Sequence, residues 1–551
     1  MNENNNHYIA ITIGPIGDMM GLVRKPAALW GASYIFSYIS KSLCELIVKK
    51  GVATCENIIT PFFVTEENPL VDRHDGVGLF HDHVIVRANF EKNLEKMKEI
   101  KREVLTDVAK KLAPNDMDTS EKSEKFNAYV DQIEKYIMIA ICGFEKEGDS
   151  NAIMYCGKQL DSLELPKHFA ASEKRHPILS RLQNSRSENE NTTVKMIADR
   201  FGVIMKEWQL TFENKEDKSV SDVRDLPDIA ASSNAPGFKK NKYYCVLRAD
   251  GDNISKIISG LPNDEKCREF SKTCLQYCSE VAKAVKAYGG VTIFAGGDDL
   301  FALVPCQGMR PETTETITVL EFTQVISKLF LEKFKTYIDD IKKKNEELSE
   351  DKRVPIPSLS FGAFICYSSF PLYEAIERSG ALLFGVAKNT KHKNCVAIHL
   401  QKHAGQSEEL VISNHVLEDE SNRFFEKFNF LNKNASDQEE VLLSASNKIL
   451  LFRKLLAASP ENAENIFKNI FDADFHMDTR SDFLHKFLPD MYKICRQPNQ
   501  ILLYEHDEVL KSRDSETKPK QQDNTCEPAD PEKTLAQLIR FMKFFVEKGD
   551  M

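Results

Sequence analysis

A chain of 551 residues holds three to four domains at about 150 residues each, enough for several buried cores. Its 42% apolar and 28% charged residues exclude a disordered or fibrous chain. The 73 basic and 83 acidic residues leave a net charge of −10, which excludes a protein that grips nucleic acid alone through a general basic surface. The opening MNENNNHYIAITIG has neither the apolar core nor the cleavage site of a signal peptide. The longest apolar stretch, 136–142, falls far short of the roughly 20 residues that span a bilayer. Thirteen cysteines without a repeating spacing fit reduced thiols, so a cytoplasmic protein without membrane contact is expected.

Residues 8–13 read as a short strand closed by Gly14 and Pro15. Leu29, Ala32, Phe36, Ile39, Leu43 and Leu46 then recur at three- and four-residue intervals, the stripe of a helix that Gly51 ends. Two β-rich runs, 58–64 and 83–86, precede charged helices over 91–112 and 120–135, an apolar run at 136–143 and a short helix near 151–163. That order describes an α/β layer with helices on one face. Residues 164–240 are polar and turn-rich, which predicts a small helical insertion and a linker.

A second α/β unit opens with a strand at 243–249 that runs into Asp250, Gly251, Asp252 and Asn253. A helix over 264–288 ends at Gly289, and 291–304 reads as two strands folded about Gly296, Gly297, Asp298 and Asp299. A helix over 314–347, a strand at 358–367, a short helix at 371–386 and a strand at 395–400 follow. Beyond about 406 the pattern is helical to the end. Ser436 and Glu439 form a capping box ahead of 441–456, while Ser459-Pro460 and Asp530-Pro531 each supply an N-cap and a first-turn proline. Residues 505–529 carry almost no large apolar group and read as a mobile loop.

The two units have the order of elements of a diverged duplication. ITIGPIGDM (11–19) answers LRADGDNIS (247–255), and a hairpin VGLFHDHVIV (77–86) answers TIFAGGDDLFALV (292–304). Gly14 then stands where Asp250 stands, so the first unit lacks that carboxylate and the chemistry falls to the second.

Asp250 at a strand end and Asp298 and Asp299 at a hairpin tip can converge, because neighbouring strands lie about 4.8 Å apart. Converging carboxylates repel unless a cation is present, and hard divalent ions that take oxygen ligands answer that demand. Two such ions can activate a hydroxyl and stabilise a leaving pyrophosphate, the chemistry of nucleotidyl transfer. Gly296 and Gly297 remove side chains where phosphates would approach the backbone. Asp252 is either a further ligand or the cap of the next helix. Lys388, Lys391 and Lys393 lie between the last helix and last strand, where they reach phosphates as point charges or form a solvated basic turn.

At these residues the chain resembles the large subunit of type III CRISPR effector complexes, the CRISPR polymerase/cyclase family, and most closely its Cmr (type III-B) branch. The resemblance rests on ITIGPIGDM, RKPAALWGASYIFSYI, LRADGDNISKII, FAGGDDLFALVP, PSLSFGAFICYS and VAKNTKHKNCVAIHLQKHAGQ, which together span about 8–406. It implies an α/β (α+β) fold of two ferredoxin-like palm domains with helical domains. On that plan 1–163 is a first palm without metal-binding carboxylates, 164–240 the insertion and linker, 241–405 the second palm and 406–551 a C-terminal helical domain. It implies that Asp250, Asp298 and Asp299 act as catalytic metal ligands for Mg²⁺ or Mn²⁺, with Asp252 as a possible fourth. It implies that Gly251, Gly296, Gly297, Ser360, Lys388 and Lys393 serve nucleotide binding.

The implied activity is synthesis of a nucleotide second messenger from ATP when a complex of Cmr-type subunits and guide RNA captures target RNA. The product is cyclic oligoadenylate or, alternatively, AMP joined to S-adenosylmethionine, whose sulfonium and amine Asp72, Glu145 or Glu147 could face. A non-catalytic scaffold subunit and a free-standing GGDEF-like cyclase remain as readings of another kind. An HD nuclease is not expected, because the first palm strand starts at residue 7 or 8 and His74-Asp75 and His81-Asp82 lack the further ligands such a site needs. Zinc is not expected either, since no C-x-x-C occurs, and Cys267, Cys274 and Cys278 share one helix face with Val281 and Val285 as core residues do.

Overall fold

A computed structural model of the chain describes residues 6–65, 76–120, 122–146, 148, 150–164, 178, 181–182, 197–198, 200–202, 225–232, 242–390, 393–419, 424–425, 444–471, 487–497, 501–503 and 530–546. The first unit is built from β1 (His7–Gly14), the helix Pro26–Lys49, β2 (Ile58–Thr60), β3 (His83–Arg87), the helices Phe90–Leu112 and Glu124–Tyr136, and β4 (Met138–Glu145). Its strands lie in the order β2-β3-β1-β4, all antiparallel, which is the ferredoxin-like arrangement. Ile9, Ile11 and Ile13 pack with the unit's own helices, as the three- and four-residue stripe of Pro26–Lys49 requires.

The other face of this sheet is not open. Tyr8, Ala10, Ile59 and Ile85 pack with Cys267, Phe270 and Cys274 from the second unit, so helices cover both faces rather than one. The expected hairpin at 77–86 is also absent: β3 pairs with Ile58–Thr60, and a long connection separates them. Freed from the sheet, the stretch before β3 crosses to the second unit, where the Ala295 amide donates to the Gly78 carbonyl at 3.2 Å.

The second unit contains β5 (Tyr243–Asp252), the helix Asp264–Tyr288, β6 (Val291–Gly296), β7 (Asp299–Pro305), a ribbon of β8 (Gln307–Met309) and β9 (Thr316–Thr318), and the helix Val319–Lys333. It continues through β10 (Ser358–Tyr367), the helix Leu372–Gly380 and β11 (Cys395–Gln401). A capping box between Thr318 and Glu321 starts Val319–Lys333, and a second helix, Lys335–Glu346, follows at Phe334, so the run expected as one helix is a ribbon and two helices. The antiparallel order β10-β5-β7-β6 repeats the ferredoxin-like plan, and β11 joins β10 in parallel.

The region beyond 406 is not purely helical. After a tight turn in which the Gly405 amide donates to Lys402 and Gly405 adopts φ 86, β12 (Ser407–Ser413) pairs with β11, and β13 (Ile501–Leu502) pairs with β12. Leu410, Val411 and Ile412 are buried there as sheet residues. The helix Pro531–Val546 packs on β12, with Gln537 donating to the Glu409 carbonyl at 3.2 Å. Asp530 caps it as expected, accepting from the Glu532 and Lys533 amides at 3.2 and 3.1 Å, whereas Ser459 makes no side-chain cap and Pro460 opens a single 3₁₀ turn. The Ser436–Glu439 capping box, 505–529 and most of 164–240 lie outside the described residues. Among the described residues no helix is long and apolar enough to cross a membrane.

The two units exchange their first helices. Pro26–Lys49 packs against β6, the edge of the second sheet, and Asp264–Tyr288 packs against β2, the edge of the first. One edge of each sheet is thereby covered by its neighbour. Tyr8 Oη donates to Asp264 at 2.8 Å, and the hydroxyls of Thr60 and Ser271 meet at 3.2 Å across the same junction.

Glu408 on β12 is 7% exposed, and burial pushes its carboxyl up to about 7 against the pull of Arg540 and Lys402. The folded state therefore binds this proton more tightly than the unfolded chain, so stability is full below about pH 4.5 and declines as pH rises to about 7. Glu408→Gln is expected to remove up to about 3 kcal/mol of that decline. Urea unfolding at pH 5 and 8 checks this: equal pH slopes in both proteins would refute it.

Candidate active site

Pleating puts Arg248 and Asp250 on the face of β5 that carries Tyr244 and Val246, while Cys245, Leu247 and Ala249 face the helix Asp264–Tyr288. On β7 the same logic puts Asp299 with Phe301 and Leu303. Ser360 pairs with Asp250 and Gly296 with Asp299, and the Asp250 carboxylate lies close enough to Asp299 to push its carboxyl up. One row across the sheet thus reads Ser360, Asp250, Asp299, Gly296. The row beside it reads Gly362, Arg248, Phe301, Phe294.

The hairpin tip brings the third carboxylate in. Gly297 takes φ 69, a conformation that favours glycine, and its carbonyl accepts from the Cys278 thiol at 3.4 Å. Asp298 folds back over Gly251, where any Cβ would overlap its carboxylate, and the Gly251 amide donates to it. Gly251 is therefore small where Asp298 approaches it.

Burial raises the Asp298 carboxyl to about 7, helped by Asp250 and opposed by Lys388 and the backbone amides. Asp299 is pushed well above the usual range by the surrounding protein, then by Asp298 and Asp250, although the residue is exposed to solvent. Asp82 of the first unit adds to the same negative field. These are carboxylates held together against their repulsion, a feature of functional sites.

Asp252 belongs to a different structure. It is fully buried, its Oδ1 accepts from Lys388 Nζ at 2.8 Å, and its Oδ2 accepts from Ser358 Oγ at 2.9 Å, Ser360 Oγ at 2.8 Å and the Asn394 amide at 3.0 Å. It caps no helix, since Asn253 occupies that position without a side-chain bond. Ser360 is 0% exposed and donates to Asp252.

Lys388 is likewise tied down. Its ammonium bonds Asp250 Oδ2 at 2.8 Å and the Asp250 and Gly251 carbonyls at 2.9 and 2.7 Å. Burial pulls its pKa down, but Asp252 and Asp250 more than offset that. Lys388 and Asp252 together brace the end of β5. Lys393 sits half-exposed in a turn at φ 51, and Lys391 lies outside the described residues.

Arg248, Ser358 and Asn394 escaped the sequence reading. Arg248 had a signal: it stands two residues before Asp250 in a strand, hence on the same face. Its guanidinium carbon lies 4.4 Å from the Phe301 ring centroid, its buried Nε has no hydrogen-bond partner, and burial lowers its pKa to about 10 against the pull of Asp299. The bonds of Ser358 and Asn394 to a residue more than 100 positions away had no such signal.

The expected core cysteines Cys267, Cys274 and Cys278 are buried. His81 meets the Thr60 hydroxyl at 2.8 Å, and burial with the nearby His83 lowers its imidazole to about 3, so it is neutral. His74, Asp75, Asp72 and Glu147 lie outside the described residues, and Glu145 ends β4 opposite His7. A cavity of about 310 Å³ lined by Arg310, Glu321, Gln324, Lys328, Leu417 and Phe425 includes none of Asp250, Asp298 and Asp299.

Residues 243–397 match the family model of the Cas10/Cmr2 second palm domain. A 218-residue stretch is 27% identical to the CRISPR system Cmr subunit Cmr2 of Pyrococcus furiosus, covering 35% of this chain and 22% of that protein, so the match spans about a fifth of the relative. The fold is similar to the Csm1 and Csm4 cassette solved in complex with cA4, at 12% identity and a TM-score of 0.50, covering 99% of this chain and 70% of that one. The apo cassette gives a TM-score of 0.51 at the same identity and coverage. Residues 243–397 are thus a palm domain of the Cas10/Cmr2 kind, carried by a chain that is similar over part of its length to a Cmr subunit of a CRISPR system and in fold to the Csm1 and Csm4 cassette.

Proposed function

We propose that the second palm is a metal-dependent nucleotidyltransferase site that converts ATP into a nucleotide second messenger, cyclic oligoadenylate, within a type III effector complex. The complex supplies other Cmr- or Csm-type subunits, guide RNA and target RNA. The observation that carries this reading is the meeting of Asp250, Asp298 and Asp299, with two of the carboxyls driven up by burial and mutual repulsion. The cassette of similar fold solved with cA4 supports it.

A donor set of three carboxylates without thiol or imidazole fits a hard divalent cation, Mg²⁺ or Mn²⁺. Among the described residues no three acidic, His or Cys side chains converge tightly enough to hold an ion as they stand. Asp250 Oδ2 is paired with Lys388, so its carboxylate would have to turn toward Asp298 and Asp299 to complete the set. A bound divalent ion supplies activation of a ribose 3′-hydroxyl and charge stabilisation of the departing pyrophosphate. Lys388 and Asp252 hold the end of β5 in place. Beside Gly297 nothing lies within 4 Å of where a side chain would start, which leaves the hairpin open to phosphates.

The test is to incubate the assembled complex with labelled ATP and Mg²⁺ or Mn²⁺, with and without target RNA, and to identify products by mass. Adenylate oligomers that depend on metal and target RNA are expected. Unconsumed ATP under every condition would overturn the assignment.

A further inference from the structure

Arg248 is the one residue of the second row whose chemistry the nucleotidyltransferase reading leaves unused. Gly362, Arg248, Phe301 and Phe294 lie side by side on β10, β5, β7 and β6, one pleat from Ser360, Asp250, Asp299 and Gly296, about 7 Å along the sheet. The guanidinium lies over Phe301 at 4.4 Å, and a Cβ on Gly380 would stand 3.8 Å from its central carbon. Gly362 lets the end of the helix Leu372–Gly380 close on the sheet, since any Cβ there would meet the Ser379 carbonyl and the Leu383 amide. Among the described residues the guanidinium has no ion-pair or hydrogen-bond partner, and its Nε is shut off from water.

A cation in this position is costly unless something answers it. As a prop for Phe301 an aliphatic side chain would serve without that cost. The field of Asp299 offers partial compensation. That compensation disappears when Asp299 gives its charge to a divalent ion, so metal uptake leaves Arg248 in need of an anion. The anion that accompanies the metal at such a site is a polyphosphate, and a guanidinium matches phosphate oxygens in a fork geometry.

We propose that Arg248 is a phosphate-binding residue that takes the polyphosphate of the nucleotide from the floor of the second palm, making metal and nucleotide binding mutually reinforcing. This rests on the reading of Asp250, Asp298 and Asp299 as a metal and nucleotide site. It makes the site selective for nucleoside triphosphates over monophosphates through a residue outside the carboxylate row.

The test uses the full chain with Mg²⁺ and titrates a non-hydrolysable ATP analogue and AMP, following binding by calorimetry. Arg248→Met is expected to weaken the analogue by about 10- to 100-fold while AMP changes by less than about twofold. Arg248→Lys is expected to recover part of the loss, and the Mg²⁺-induced rise in melting temperature to persist in both. Should Arg248→Met fail to fold, Arg248→Gln replaces it with the same expectation. An analogue affinity within twofold of the parent in the folded variant overturns the role of Arg248. Absence of analogue binding by the parent chain, or binding unchanged in Asp298→Ala, overturns the underlying site reading instead.

Discussion

Replacing Asp298 and Asp299 together with Ala is expected to cut ATP conversion by at least about 10²- to 10³-fold and, in metal-free buffer, to raise the melting temperature. The loss follows from removing two of three oxygen donors at the hairpin tip. The gain follows from the same geometry. Asp298 is raised to about 7 by burial and by Asp250, and Asp299 is pushed up by the surrounding protein and both neighbours. Above pH 7 the folded chain must hold charges that the unfolded chain holds freely.

For a carboxyl raised in the folded state, stability is full below the unfolded value near 4 and is lost as pH climbs to about 7. Solvent reaches Asp299 and screens part of this penalty, so the variant gains about 1–2 kcal/mol at pH 8 and almost nothing at pH 4. Thermal unfolding in EDTA at the two pH values measures it. A variant destabilised at pH 8 would show that the carboxylates support the fold rather than strain it, and retained ATP conversion would remove them from the chemistry. Mg²⁺ is expected to stabilise the parent and not the variant, since a ligand stabilises only the state that binds it.

The elements that depend on local pattern were legible in the sequence. The strand expected at 358–367 forms at Ser358–Tyr367 because it is a continuous apolar run buried on both faces, and the helix expected at 264–288 forms at Asp264–Tyr288 because it has an apolar stripe, the N-cap Asn263 and the glycine stop Gly289. The meeting of Asp250 with Asp298 and Asp299 was legible for a related reason: a strand end and a hairpin tip are local features that pairing brings together.

What was not legible depended on partners distant in sequence. Asp252 and Ser360 have the residue types of a ligand and a phosphate contact. Their assignment turns on Lys388 and Asn394, which stand 136 and 142 positions beyond Asp252. The strand β12 hid behind an exposed turn and needs β11 beside it to bury Leu410 and Ile412. The hairpin expected at 77–86 failed because the stretch before β3 satisfies its backbone on β6 of the other unit, an exchange that no single-unit pattern contains.

That brace on β5 yields the second large effect. Lys388→Met is expected to destabilise the second palm by about 3–5 kcal/mol, the range for a buried ion pair that loses one partner. The ammonium is 12% exposed and Asp252 0%, so the remaining carboxylate cannot recover its charge by turning to water. It retains the Ser358, Ser360 and Asn394 donors, which soften the loss without neutralising it. The Asp250 and Gly251 carbonyls also lose their donor, and with them the fixed end of β5 on which Asp250 sits.

A lysine that merely touched phosphate would behave differently, weakening ATP binding while leaving the melting temperature unchanged. Denaturant unfolding without nucleotide separates the two roles, and a melting temperature equal to the parent's would refute the brace. Asp252→Ala combined with Lys388→Met is expected to cost less than the two single changes added together, because the second substitution removes a charge that the first had left unpaired. Strict additivity would place the two residues in separate networks and return Lys388 to the surface of the nucleotide site.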